Sequence, residues 1–201
     1  MIRVLIAEDM NLLRDALVSL LSFEEDIEVV AELERGDAIV PTAMSTQPDV
    51  AVIDIGLPGM DGLTAAAQLH EMLPDCRVLI LTSYGRPGEL RKSLEVRAAG
   101  FVVKDAPAAY LADAIRRVAR GERVIDTELA ATAIEVGDNP LTPRERAVLV
   151  CIAQGASVED AAAQVHLSPG TVRNYLSTII AKVGARNRVD AIRIARDYGW
   201  I

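Results

Sequence analysis

The chain has 201 residues, 51% hydrophobic and 25% charged, with a net charge of −8; that length holds one large domain or two small ones of ordinary globular composition. No apolar run reaches the ~18 residues that cross a bilayer, and the apolar start Met1–Ala7 meets Glu8 and Asp9 too soon for a signal peptide, so a cytoplasmic protein is expected. Cys76 and Cys151 stand in separate segments without metal or redox spacing and read as ordinary thiols of a reducing compartment.

In chain order, Ile2–Ala7 is an apolar strand, and Asn11–Ser22 carries Leu and Val at helical spacing. Ile27–Glu32 is a second strand, followed by a helical stretch expected to break near Pro41. Val50–Ile53 is a continuous apolar run between Pro48-Asp49 and a loop with Gly56, Pro58 and Gly59. Asp61–Leu73 reads as helix, Arg77–Thr82 as strand, Gly88–Ala99 as helix and Phe101–Val103 as strand. Pro107–Arg120 closes the series as a helix with proline at its first position. Five strands alternating with five helices predict an α/β doubly wound parallel sheet, helices on both faces, over residues 1–121.

From Glu122 the pattern stops. Residues 122–138 are expected to be a linker, with a short helix over Thr127–Glu135. Residues 139–201 contain no strand pattern and predict a small all-α domain of four helices. Thr142-Pro143-Arg144-Glu145 is a helix start with a capping box; that helix ends at Gly155. The others run from Ser157 to about Val165, from Ser168-Pro169 to near Gly184, and over about Val189–Tyr198. Charge divides the same way: residues 139–201 hold 8 Lys/Arg against 5 Asp/Glu, or +3, and the rest of the chain −11. Such asymmetry suggests an acidic module joined to one that faces nucleic acid.

Ligands of doubly wound sheets gather beyond the carboxyl ends of the strands. Glu8 and Asp9 end the first strand, Asp54 the third, Thr82 the fourth and Lys104 the fifth. Crowded carboxylates repel unless a cation lies among them. Mg²⁺ suits one or two carboxylates with water and phosphate oxygens, and a hydroxyl and an ammonium can hold further phosphoryl oxygens. Any one of these residues could simply face water. Five of them at matching ends of four strands make chance a poor account.

With Asp54-Ile55-Gly56-Leu57-Pro58-Gly59-Met60-Asp61-Gly62 after the third strand, the first 122 residues resemble a two-component receiver domain. The resemblance implies that Asp54 accepts a phosphoryl group from a sensor histidine kinase. It also implies that Asp9, Asp54 and the Gly56 carbonyl hold Mg²⁺ with Glu8 acting through water, and that Thr82 and Lys104 bind the phosphoryl oxygens. Phe101 takes the place of the switch aromatic, often Tyr, and Leu57 stands where Met is common. A haloacid-dehalogenase-like phosphatase needs a second carboxylate two residues after the nucleophile, where this chain has Gly56. No glycine-rich loop follows the first strand, which argues against a nucleotide site.

The helices from Ser157 and Ser168, joined by His166-Leu167, form a helix-turn-helix pattern whose second helix would enter the major groove. That helix carries Thr171, Arg173, Asn174, Ser177, Thr178 and Lys182 on polar positions and Val172, Leu176, Ile179, Ile180 and Val183 on an apolar stripe. Arg can read guanine and Asn adenine, although any amphipathic helix has a polar face. Leu141–Arg146 together with Leu167–Tyr175 resembles a LuxR-type helix-turn-helix, and the whole chain is identified as a member of the NarL/FixJ family of response regulators. The resemblance implies base contacts from Arg173, Asn174 and Ser177 and phosphate contacts from Thr171, Lys182 and Arg188. Glu159 stands where lysine is frequent and would repel phosphate, and Ala161 replaces a larger apolar residue. His70, His166 and Trp200 are read as structural. Thr82–Gly88 and the Ala185–Trp200 ending are similar to a subgroup that includes a regulator of a membrane-lipid desaturase gene.

These features together predict a DNA-binding regulator, not an enzyme, with double-stranded DNA as partner and no catalytic residue of its own. It is expected to dimerise on phosphorylation through its first and fifth helices, around Leu13, Leu17, Leu111 and Ile115, and through its last helix near Ala191 and Ile194. The alternative is a phosphorylation-independent DNA-binding protein whose receiver only scaffolds dimers.

Overall fold

A computed structural model describes residues 1–83, 85–125, 130–131 and 139–201; the helix expected over Thr127–Glu135 lies almost wholly outside them. The chain divides into two compact units, Met1–Gly85 with Leu90–Ala130, and Ala131–Ile201 with Arg86–Glu89.

The first unit holds a sheet of β1 (Ile2–Ala7), β2 (Ile27–Leu33), β3 (Val50–Asp54), β4 (Arg77–Thr82), β5 (Gly100–Val103) and β6 (Val124–Ile125). Their order is β2-β1-β3-β4-β5-β6, and every neighbouring pair is parallel. All five residues of β3 are buried, as a central parallel strand covered on both faces requires. The sixth strand is an addition to the five that the sequence predicts. It contributes two residues, which pair with Gly100 and Phe101 of β5, too few to show a period.

The helices are α1 (Asn11–Leu21), α2 (Ile39–Thr46), α3 (Gly62–Met72), α4 (Pro87–Glu95) and α5 (Ala108–Ala119). Pro41 does not break its helix. It is the third residue of α2, within the first turn, where a missing N–H has no partner to lose. Pro107 precedes α5 as its N-cap instead of opening it. α4 stops at Glu95, four residues before the expected end, because Arg97 turns into the left-handed region at φ 60°.

Val4, Ile6, Val50, Val52, Leu79 and Leu81 pack with Leu111, Ile115 and Val118 in one core. Leu111 and Ile115 are 5% and 0% exposed, so both hold α5 onto the sheet; Ile115 is closed to a second subunit, while Leu111 lines one wall of a groove shared with α1. Leu13 and Leu17 of α1 are half-buried and line an apolar groove beside α5.

The second unit contains α6 (Pro143–Ala153), α7 (Val158–Gln164), α8 (Pro169–Lys182) and α9 (Arg188–Asp197). Each start is capped by a side chain. Thr142 with Glu145 and Ser157 with Asp160 form capping boxes, Ser168 accepts from the Thr171 N–H, and Asn187 accepts from the Val189 and Asp190 N–H groups. Val148, Leu149, Ala161, Val172, Leu176, Ile179, Ala191, Ala195 and Trp200 form the core. Ala191 is wholly buried there and Ile194 half-buried, so of the two expected contact residues Ala191 packs within the domain and only Ile194 is partly open. Trp200 is an anchor, its ring edge-on to Tyr198 at 5.0 Å between centroids.

Candidate functional site

Parallel pairing brings the ends of β1, β3 and β4 to one edge: Ala7 is opposite Ile53, and Asp54 opposite Leu81. The chain therefore leaves the sheet with Glu8, Asp9, Asp54 and Thr82 close to one another. Glu8, Asp54 and Thr82 are buried and Asp9 is exposed. Oxygens of Glu8, Asp9 and Asp54 lie within 4.8 Å of one another. From the end of β5, Lys104 places Nζ 2.7 Å from Glu8 Oε2 and 3.0 Å from Asp54 Oδ1. It donates a 3.0 Å hydrogen bond to Glu8 Oε1.

Burial pushes the Glu8 carboxyl up from its ordinary range, and the ammonium of Lys104 offsets this only in part. Burial also pulls Lys104 down, but its bonds to Glu8 and Asp54 outweigh that and raise it, so it stays charged. Three carboxylates face one ammonium. Glu8 Oε2 is buried, and its only ion-pair partner among the described residues is the ammonium of Lys104 at 2.7 Å. An all-oxygen set with an excess of negative charge fits a hard divalent cation.

Glycines shape the loop. Asp54 Oδ2 accepts a 3.1 Å bond from the Gly56 N–H. A Cβ on Gly62 would lie 1.9 Å from the backbone oxygen of Asp54, so only glycine lets α3 start so near the acidic residue. Gly62 and Arg14, which donates to the Glu8 carbonyl at 2.8 Å, support the pocket; Gly62 closes the motif after the third strand without a role assigned to it, and Arg14 does not stand out in the sequence at all. Their roles depend on distances between segments that no spacing reveals. Phe101 is buried in β5 opposite Ile80, and the Thr82 carbonyl accepts from the Lys104 N–H at 2.7 Å.

In the second unit, α8 is exposed at Arg173, Asn174, Ser177 and Lys182, and half-buried at Thr171. Thr171 Oγ1 is 2.9 Å from Ser168 Oγ, and Ser177 Oγ donates to the Arg173 carbonyl at 3.2 Å. Arg188 is exposed at the start of α9. Lys182 already has a structural partner, donating to buried Glu145 at 2.7 Å. Burial alone would raise that carboxyl; Lys182 and Thr142 hold it below the ordinary range. Glu159 has a partner too, accepting from Arg173 Nη2 at 2.8 Å. His166 occupies the turn between α7 and α8 at φ 56°, and His70 lies 3.4 Å from Arg97, neither in a metal-binding group among the described residues.

Comparison with known proteins accounts for both units. Residues 4–116 match the response regulator receiver domain, and residues 139–195 match the bacterial regulatory proteins of the luxR family. The transcriptional regulatory protein DesR of Bacillus subtilis is 40% identical over 200 residues, covering 100% of this chain and 99% of its own. The response regulator RamR of Streptomyces coelicolor is 42% identical over 202 residues, covering 100% and 98%. The crystal structure of ChrA, a response regulator of a heme-sensing two-component system, superposes with a TM-score of 0.60 at 34% identity, covering 100% of this chain and 98% of its own. Among the described residues, no helix is long and apolar enough to cross a membrane.

Proposed function

Because the chain belongs to the two-component response regulators that join a receiver domain to a LuxR-type DNA-binding domain, we propose that phosphorylation of Asp54 by a sensor histidine kinase, in the cytoplasm, controls its binding to DNA. Family membership makes it a DNA-binding transcriptional regulator and not an enzyme. The observation that carries the proposal is the bridge of Lys104 to both Glu8 and Asp54, beside an exposed Asp9.

In the transfer, an Asp54 carboxylate oxygen bonds to phosphorus as the P–N bond of the kinase phosphohistidine breaks; the imidazole nitrogen keeps the electron pair and takes a proton. Asp9, Asp54 and the Gly56 carbonyl, with Glu8 through water, would hold Mg²⁺, which supplies positive charge against the phosphoryl oxygens. Lys104 lies within reach of Asp54 and supplies the protein's own positive charge there. Thr82, at the neighbouring strand end, offers a hydroxyl to another oxygen. The new group adds about −1.5 to −2 charges at pH 7. Drawing Lys104 and Thr82 toward it gives the phosphorylated state contacts the free state lacks, and such differential contacts are what shift a two-state equilibrium. Phe101, one strand residue from Val102 in the core, is the side chain whose repacking would carry that change outward.

Dimerisation then brings two DNA-binding domains to two half-sites. The groove lined by Leu13 and Leu17 is the receiver surface for it. Residues 1–121 and 139–201 act as receiver and DNA-binding domain; of the expected linker 122–138, Val124 and Ile125 belong to the receiver sheet instead. Arg173, Asn174 and Ser177 read bases, while Thr171, Arg188 and the free donors of Lys182 hold phosphates. The alternative is a receiver that only scaffolds dimers, with DNA binding independent of phosphorylation. Incubation with Mg²⁺ and acetyl phosphate decides between them. The switch predicts a phosphorylated species that Asp54→Asn does not form and that binds an operator duplex more tightly than the untreated chain. Equal affinity before and after would leave the scaffold.

A further inference from the structure

The Glu159–Arg173 pair joins the two helices of the helix-turn-helix at 2.8 Å, with side chains 63% and 61% exposed. A pair so open to water adds little to stability, and α7 and α8 are already fixed by Ala161, Ala162, Val172 and Leu176 in the core. Its consequence lies in what the guanidinium can meet. Arginine offers five N–H donors in a fixed fork. One goes to Glu159, leaving others for a second acceptor. The O6/N7 edge of guanine is neutral and can join the arginine without opposing the carboxylate. A phosphate is an anion. To reach the same guanidinium it must approach Glu159 closely or displace it, and two anions at a few ångströms repel.

We infer that Glu159 is a positioning residue that sets the specificity of the reading helix: it orients Arg173 from the neighbouring helix, disfavours phosphate there and leaves the arginine competent for a base edge. This rests on α8 being the helix that reads DNA. The acidic residue then costs some affinity everywhere, but it weakens non-specific binding more than specific binding, which is how discrimination is gained by penalising the wrong partner.

The test uses the full chain with Mg²⁺ and beryllofluoride. The duplexes are one selected by wild type from a random-sequence pool, its single-base variants, and an unrelated duplex, all followed over a salt series. Glu159→Gln keeps the shape and an acceptor oxygen but removes the charge. It is expected to strengthen binding to the unrelated duplex and steepen its salt slope by about one. It is also expected to lower the ratio of specific to non-specific affinity about tenfold, with the thermal midpoint unchanged. In an Arg173→Ala background the same substitution should leave the ratio unaltered. If Glu159→Gln changes both duplexes by the same factor, Glu159 is only a distant charge and the inference falls while the reading role of α8 stands. If Arg173→Ala leaves the selected duplex bound as before, Arg173 reads nothing, and the reading role assigned to it falls first.

Discussion

Lys104 is the residue on which the receiver pocket depends. Its side chain is 11% exposed between two carboxylates. Removing one partner of a buried pair leaves the other charge unsolvated, at a cost of about 3–5 kcal/mol when it stays charged. Glu8, already pushed up by burial, can take a proton instead. Lys104→Met should therefore destabilise the receiver by less than that range in denaturant titration, yet abolish the response to beryllofluoride. Gly62 is a second such point. The Cβ of Gly62→Ala would overlap the Asp54 backbone oxygen, and the shift it forces should cost about 1–3 kcal/mol, seen as a lower denaturation midpoint. The lysine is legible from its place at a strand end; the packing role of the glycine becomes legible only when α3 is seen to begin against the end of β3.

Asp190 offers a test by pH at the same scale. The Arg186 N–H and the side chains of Arg193 and Arg186 hold its carboxyl down to about 2, against an ordinary 3.8. Its folded value is depressed, so the unfolded chain binds the proton first as pH falls. The stabilisation is complete above about pH 4 and is lost toward pH 2. The thermal midpoint of Asp190→Asn should lie below that of wild type at about pH 5, and the gap should close as pH approaches 2. A gap that does not change over this range would contradict the assigned network.

At the scale of elements, the second unit is the more legible because each helix announces its start. Thr142, Ser157, Ser168 and Asn187 all cap as their types suggest. Thr142→Ala removes one half of a capping box and should cost about 1 kcal/mol. Ile179→Ala, in the core face of α8, should cost about 2–5 kcal/mol, both read from urea unfolding. The parallel sheet is legible for the same kind of reason, since β1 and β3 to β5 are short buried runs between turn residues. β6 is not, because two residues carry no period. Pro41 misleads because its effect depends on its place in the helix, and only the actual start at Ile39 shows that it falls in the first turn. The pairs Glu145–Lys182 and Glu159–Arg173 escape sequence reading altogether, being set by how helices pack.

For the whole molecule, the polar set at the strand ends can be assembled from order alone, since a doubly wound sheet sends every strand end to one edge. The dimer surface cannot. Leu111, Ile115 and Ala191 have the apolar character an interface wants, but the core takes them first. What remains open to a second copy on the receiver is the groove beside α1, lined by half-buried Leu13 and Leu17. Leu13→Glu in that groove should suppress dimerisation while leaving phosphorylation of Asp54 intact, as read by intact-protein mass.

Charge added at Asp54 should change how the chain associates, and everything proposed for its control of DNA binding depends on that step. The decisive experiment is sedimentation of wild type and Asp54→Asn, each with and without Mg²⁺ and beryllofluoride. Wild type alone should shift from monomer toward dimer when the phosphoryl mimic is present. Identical sedimentation of all four samples would refute the switch and leave a DNA-binding protein governed by another signal.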